Sequence, residues 1–309
     1  MRDIIIIGGG PAGYTAAIYA ARASLYPLVL EGGMPGGMLT TTTTVENFPG
    51  FPEGVDGPEL MSRMADQARR FGAKLETVKV TSVDFSSRPF RVSCGDRTEE
   101  AKAVIIATGG RHRQLGVPSE EALKGKGVSY CATCDAFFFR GKTVAVVGGG
   151  DSAIEEADFI SRFAEKVYLL VRRDVFRASK AMQDRAFGNR KIEVIWNVLV
   201  DDVLGAEEGR VTGVRIRGSK DGTVRELACQ GVFPVIGHDP NTAIFAGQVE
   251  LDEAGYVRLS SERTTATSVP GVFVAGDVDD SRYRQAITAA GEGCRAALDA
   301  LHFLEDNPV

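Results

Sequence analysis

The sequence predicts an α/β chain of two Rossmann-like, three-layer dinucleotide-binding domains, the second inserted into the first. Three observations lead there. A buried strand at the N-terminus runs into a glycine-rich loop. A second copy of that unit opens at Gly141. A last buried strand, belonging with the first unit, returns near residue 272.

A length of 309 residues suggests about two domains, and an apolar fraction of 44% is ample for buried cores. The net charge of −5, with no long basic stretch, argues against nucleic acid as the main partner. No apolar run reaches the roughly 18 residues of a membrane span. The short run after Met1 stops at glycine, unlike a signal peptide. Five cysteines do not make a secreted disulfide framework, so a cytoplasmic protein is expected. Cys94, Cys229 and Cys294 are scattered singly and read as core or surface thiols.

Residues 3–7 carry a run of isoleucine, the pattern of a strand buried on both faces. Gly8, Gly10 and Gly13 then match G-x-G-x-x-G, with Pro11 and Ala12 between. An Ala-rich helix follows from Tyr14 to about Ala23. A second apolar run, Pro27–Leu30, ends at Glu31. Glycines there let backbone N–H groups approach a pyrophosphate at a helix N-terminus, and Glu31 can bind a ribose 2′-OH. Residues 32–54 lack periodicity and hold Gly36–Leu39, five threonines (Thr40–Thr44) and Val45–Gly50. Such a stretch is usually functional or mobile. Pro58 opens a helix ended by Gly72, with Leu60, Met61, Met64, Ala65, Ala68 and Phe71 as its core stripe. Short strands from Lys74 to Glu100 lead to a buried strand, 102–106, and Ala107–Gly109. Arg111–Arg113 reads as a linker in which His112 is solvated.

The second unit repeats the first. Thr143–Val147 is a strand, Gly148, Gly150 and Ala153 form G-x-G-x-x-A with Asp151 and Ser152 inside it, and Val167–Leu170 is the next strand. Residue n of the first loop falls on n + 140 of the second, so Glu31 aligns with Val171, followed by Arg172 and Arg173. A 2′-phosphate needs cationic donors and is repelled by a carboxylate. The first loop therefore suits a cofactor with a free ribose 2′-OH, such as FAD or NAD, and the second suits NADP(H), with Arg177 joining the clamp. Residues 191–237 read as strands, and His238 as a structural residue in a turn. The last strand, Val272–Ala275, ends at Gly276-Asp277, where open α/β sheets bind ligands, and Arg284-Gln285-Ala286 opens a helix to about Leu301. From this interleaving, residues 1–112 and 244–309 are expected to form one domain and 113–243 the inserted one.

Cys131-Ala132-Thr133-Cys134-Asp135 lies in the inserted domain, shortly before its glycine loop. Two cysteines three apart close a disulfide on a first helical turn, where free N–H groups lower a thiol pKa. Half of a zinc site and two unrelated cysteines are the competing readings of the pair alone. A zinc site wants four ligands, and no second CxxC exists.

Together the stretches 8–13, 41–50, 107–109, 131–135, 148–153, 172–177 and 276–293 resemble the low-molecular-weight bacterial thioredoxin reductases, flavoproteins of the pyridine-nucleotide disulfide oxidoreductase family. The resemblance implies FAD in the outer domain, NADPH in the inserted one, a homodimer, thioredoxin as electron acceptor, and rotation of one domain on the other. It implies FAD contacts at Gly8, Gly10, Pro11, Ala12, Gly13, Glu31, Gly37, Met38, Leu39, Asn47, Thr108, Gly109, Gly276, Asp277, Arg284, Gln285 and Ala286. NADPH contacts are implied at Gly148, Gly150, Asp151, Ser152, Ala153, Arg172, Arg173 and Arg177. Cys131 and Cys134 become the redox pair, and Asp135 the acid that protonates a departing thiolate. The chain departs from the pattern at Met38, often Gln in the family, at Val171, usually His, and at Ala136, commonly Gly. Relatives that take electrons from ferredoxin or another donor lack the nucleotide arginines. A non-catalytic nucleotide-binding redox sensor is the alternative from outside enzymology.

Overall fold

The structure is a computed structural model that describes residues 1–42 and 44–308; Thr43, within the threonine run, and Val309 lie outside the described residues. The chain divides into two compact units, Met1–Arg111 with Asp239–Val309, and His112–His238.

In the first unit, strand Arg2–Ile7 is central. It pairs in parallel with Leu28–Leu30 on one side (Ile5 opposite Leu28) and with the second half of Arg97–Ile106 on the other (Ile5 opposite Val104). Lys74–Glu76 and Val272–Val274 extend the sheet, also in parallel. Side chains alternate along a strand, so the isoleucine run splits between two layers. Ile4 and Ile6 face helices α1 (Pro11–Arg22), α2 (Gly57–Arg70) and α6 (Ala286–Asp306). Ile5 and Ile7 face a layer that includes Val83, Phe90 and Phe245. Both faces are apolar because both are covered. The first half of Arg97–Ile106 turns to pair antiparallel with Phe90–Cys94, and so feeds that third layer.

Small residues let α1 and α6 touch through their backbones. A Cβ on Gly293 would come 2.1 Å from the Ala12 carbonyl oxygen. Gly293→Ala is therefore expected to force the helices apart and cost about 1–3 kcal/mol, read as a lower midpoint in thermal and chemical denaturation.

The second unit repeats the plan. Its parallel sheet runs Ile192–Trp196, Lys166–Val171, Thr143–Val147, Gly231–Pro234. α3 (Ala132–Asp135), α4 (Asp151–Ser161) and α5 (Lys180–Gly188) contribute to the core on one face. The antiparallel strands Val198–Leu204, Gly213–Gly218 and Val224–Ala228 are associated with the core on the other.

Several local expectations change. The first helix begins at Pro11, not Tyr14, because proline suits a first helical position where its missing N–H costs nothing. The aperiodic stretch contains a 3₁₀ turn, Gly37–Thr41, and a two-residue strand pair, Thr44–Val45 with Val55–Asp56. The expected linker is in part a strand, Gly110–His112, paired with His238–Pro240. His112 is not a solvated residue: its half-buried ring stacks on Tyr130 at 5.2 Å and meets His238 edge-on at 5.1 Å.

Candidate redox and nucleotide sites

In the first unit the glycine loop is shaped by contact on both sides. Gly8 has φ 119°, and a Cβ there would sit 2.1 Å from the Ala107 oxygen; one on Gly13 would sit 2.0 Å from the Gly8 oxygen. Gly10 differs, since a Cβ there would meet nothing within 4 Å. Gly10 caps α1 with no side chain bonded to the first-turn N–H groups. The result is an open cradle of backbone donors at a helix N-terminus, which fits a pyrophosphate.

Other expected residues gather round this cradle. A Cβ on Gly9 would lie 3.0 Å from that of Glu31, whose buried carboxylate accepts from Tyr14 Oη (2.7 Å) and Thr77 Oγ1 (2.9 Å). Those two bonds leave lone pairs for a ribose hydroxyl. A Cβ on Gly37 would be 3.4 Å from Gly10 Cα, and one on Gly276 would be 3.0 Å from Ala12 Cβ. Met38 and Leu39 lie in the 3₁₀ turn, where the Met38 oxygen accepts from Thr41 Oγ1. Asn47 Nδ2 donates to Gln285 Oε1 at 3.2 Å, joining residues 238 apart. Gln285 is the N-cap of α6, locked in a capping box with Thr288, and Ala286 is its first residue. Thr108 Oγ1 donates to the Asn241 oxygen, and Asn241 Nδ2 donates back to the Thr108 oxygen. Arg284, next to Gln285, has φ 49° and its guanidinium folds back onto the Ser281 oxygen.

The strand end at Gly276 carries an acidic group that sequence reasoning only half found. Glu292 Oε2 accepts from Gly276 N at 2.7 Å, and the Asp280 carboxylate accepts from the N–H groups of Arg282, Tyr283 and Arg284. Burial, reinforced by Asp280, pushes Asp277 up to about 6. Burial, with Glu292 and Asp280 beside it, pushes Asp279 up to about 8, and its Oδ1 is buried with no hydrogen-bond partner among the described residues. A carboxyl whose folded pKa is raised contributes stability that is full below about pH 4 and is lost as pH rises through about 8. Asp279→Asn is thus expected to raise the melting temperature at pH 8.5 and to change it little at pH 5. The gain at pH 8.5 should exceed that at pH 5 by up to about 4 kcal/mol.

The second glycine loop repeats the first. A Cβ on Gly148 would strike the Val235 oxygen at 2.4 Å, and one on Gly150 would meet nothing. Gly150 caps α4 without a side-chain bond, and Ala153 is buried behind the loop while Ser152 is exposed. Gly149 stands to Val171 as Gly9 stands to Glu31, its Cβ falling 3.0 Å from a Val171 methyl. The acid is thus replaced by valine at the equivalent place. Arg172, Arg173 and Arg177 follow, all exposed. Asp151 does not face outward alone: its Oδ1 accepts from Ser179 N and Oγ, both at 2.8 Å, tying the arginine loop to α4.

Cys131 and Cys134 form a disulfide with Cα atoms 5.3 Å apart. Cys131 is the N-cap of α3, its N–H bonded to Ser129 Oγ and its oxygen accepting from Asp135 N. The helix is a single turn. After four residues it tightens into a 3₁₀ turn, Ala136–Phe139, so the aligned peptide dipoles that would favour a thiolate are few. Ala132 and Ala136 anchor the turn in the core, while Phe137 and Phe138 stay exposed.

The chain matches the family described as Pyridine nucleotide-disulphide oxidoreductase over residues 2–293. The thioredoxin reductase of Streptomyces clavuligerus is 56% identical over 306 residues, spanning 98% of this chain and 94% of that protein. That of Mycolicibacterium smegmatis is 56% identical, spanning 99% and 97%. Among solved structures, the thioredoxin reductase from Giardia duodenalis superposes with a TM-score of 0.94 at 46% identity, covering 98% of this chain and 99% of that one. With two glycine cradles and a CxxC disulfide in a chain so matched along its length, this chain belongs to the pyridine nucleotide-disulphide oxidoreductase family, in the branch whose named members are thioredoxin reductases.

Proposed function

We propose that this chain is an NADPH-dependent thioredoxin-disulfide reductase. FAD binds the unit made of the two end segments, and NADPH binds the inserted unit. The observation that carries this is a pairing within the inserted unit: the Cys131–Cys134 disulfide shares it with a glycine cradle flanked by arginines instead of an acid. The names and coverage of the relatives support it. The arginines favour it over a relative fed by ferredoxin.

Bound FAD and NADPH together supply the hydride chemistry that delivers two electrons to the disulfide. The chain's own residues bind and orient. Gly8–Gly13, Gly37, Thr108, Gly276 and Asp277 hold the first cofactor, with Glu31 on its ribose and Asn47 with Gln285 fixing the mouth of α6. Gly148–Ala153 cradle the second pyrophosphate, and Arg172, Arg173 and Arg177 meet its 2′-phosphate. Once Cys131 and Cys134 are a dithiol, one of them attacks the thioredoxin disulfide as a thiolate. A mixed disulfide forms as the substrate S–S bond breaks, and the leaving sulfur takes a proton, with Asp135 next to the pair as its source. The second cysteine then closes the Cys131–Cys134 bond and releases thioredoxin as a dithiol, two electrons and two protons richer. The working form is a cytoplasmic homodimer, and exposed Tyr19, Ile287 and Leu298 on α1 and α6 offer it an apolar face. None of the helices among the described residues is long and apolar enough to cross a membrane.

Anaerobic titration with NADPH, followed by flavin absorbance and then by addition of a thioredoxin panel, tests donor, cofactor and acceptor together. A yellow protein bleached by NADPH and reoxidised by thioredoxin is expected. A folded, flavin-free protein, or bleaching without reoxidation by any thioredoxin, would refute the proposal.

A further inference from the structure

Trp196 is the only tryptophan in the chain. It ends the strand Ile192–Trp196, in register with Val171, the residue before the arginine pair. Its ring meets Phe176 at 4.5 Å and 61°, and Phe187 at 6.4 Å, while Phe176 and Phe187 lie 5.8 Å apart. Phe176 is buried and reaches the glycine loop itself, 3.8 Å from where a Gly149 Cβ would be. An apolar column therefore runs from the phosphate cradle through Phe176 to Trp196, beneath the loop that carries all three arginines.

That loop is held by its backbone at both ends. The Arg172 oxygen accepts from Ser219 Oγ and the Arg173 oxygen from Asn197 N, each at 3.3 Å. Arg177 N donates to the Gly149 oxygen at 2.8 Å. Asn197, next to Trp196, takes φ 55°, a left-handed conformation that asparagine tolerates, and its own oxygen accepts from Ser219 N at 2.7 Å. None of these bonds uses a guanidinium. They fix where the arginine side chains start and leave the charged ends exposed. Long side chains lose rotamer entropy on binding, so a fixed base lowers the cost of closing them on a ligand.

We propose that Trp196 is a positioning residue for nucleotide choice: wedged against Phe176, it seats the 172–179 loop so that the arginines meet a 2′-phosphate. The proposal rests on the assignment of NADPH to this unit. Trp196→Leu in the flavin-loaded full chain is expected to raise KM for NADPH, and the calorimetric Kd of adenosine 2′,5′-bisphosphate, about tenfold. The kcat, KM for NADH and Kd of 5′-AMP should stay within about twofold, and Trp196→Phe, which keeps an aromatic edge on Phe176, should recover most of the loss. In the wild type, Trp196 emission should change saturably with adenosine 2′,5′-bisphosphate. An unchanged spectrum at saturation overturns the proposal whichever variants fold. So does a Trp196→Leu protein that weakens both nucleotides equally, or neither. If the wild type itself does not distinguish adenosine 2′,5′-bisphosphate from 5′-AMP, the arginine assignment fails and the positioning role falls with it. If the wild type discriminates and Trp196→Leu discriminates just as strongly, only the positioning role fails.

Discussion

Replacing Cys134 by serine is expected to abolish thioredoxin reduction, by at least roughly 10³-fold in kcat/KM, while NADPH still bleaches the bound flavin. The asymmetry follows from where the pair sits. Cys131 and Cys134 lie before the second glycine loop in sequence, on a turn anchored by Ala132 and Ala136, and neither belongs to the Gly8–Gly13 or Gly148–Ala153 stretch. A serine oxygen neither forms a disulfide nor leaves as a thiolate does, so exchange stops after at most one mixed disulfide. Folding should survive, because Cys134 is exposed and serine is close to it in size. The same variant should trap a covalent complex with thioredoxin through Cys131 if Cys131 is the attacking sulfur. Trapping with Cys131→Ser alone would assign attack to Cys134. Retained turnover in either single variant, measured with NADPH and thioredoxin in steady state, would remove the pair from the reaction.

Much of this site is legible in the sequence alone, and the reason is locality. Isoleucine at 4–7, glycines at fixed offsets and a helix directly after them are constrained within a dozen residues by strand period and backbone stereochemistry. The contrast between Glu31 and Val171 was legible too, because each lies against the middle glycine of its own loop. What stayed hidden depends on distant partners. Nothing near Asn47 announces Gln285, and nothing near Gly276 announces Glu292. Tyr14 and Thr77 read as ordinary helix and strand residues until their hydroxyls are found on Glu31. His112 looked solvated because its neighbours in sequence are charged, whereas its neighbours in space are Tyr130 and His238. CxxC suggests a helix, but Phe137 to Phe139 follow it and close a tighter 3₁₀ turn.

Nucleotide choice should reverse when the arginine loop is given back the acid it lacks. Val171 occupies the place beside Gly149 that Glu31 occupies beside Gly9, so Val171→Glu sets a carboxylate where a ribose 2′ substituent is expected. A hydroxyl gains an acceptor there, whereas a 2′-phosphate meets like charge. Arg172→Ala with Arg173→Ala removes two charge-assisted donors, each worth about 1.5–3 kcal/mol. Because both are exposed, the lower end applies, and kcat/KM for NADPH should fall roughly 10²-fold while that for NADH holds. Adding Val171→Glu should raise kcat/KM for NADH and carry the preference past unity. Salt separates this from mere loosening of the loop. The wild-type KM for NADPH should climb steeply with ionic strength, and that dependence should flatten in the double alanine variant. A triple variant that still prefers NADPH, or one in which NADH use collapses in parallel, would place the 2′-phosphate somewhere other than the loop between Val171 and Ser179.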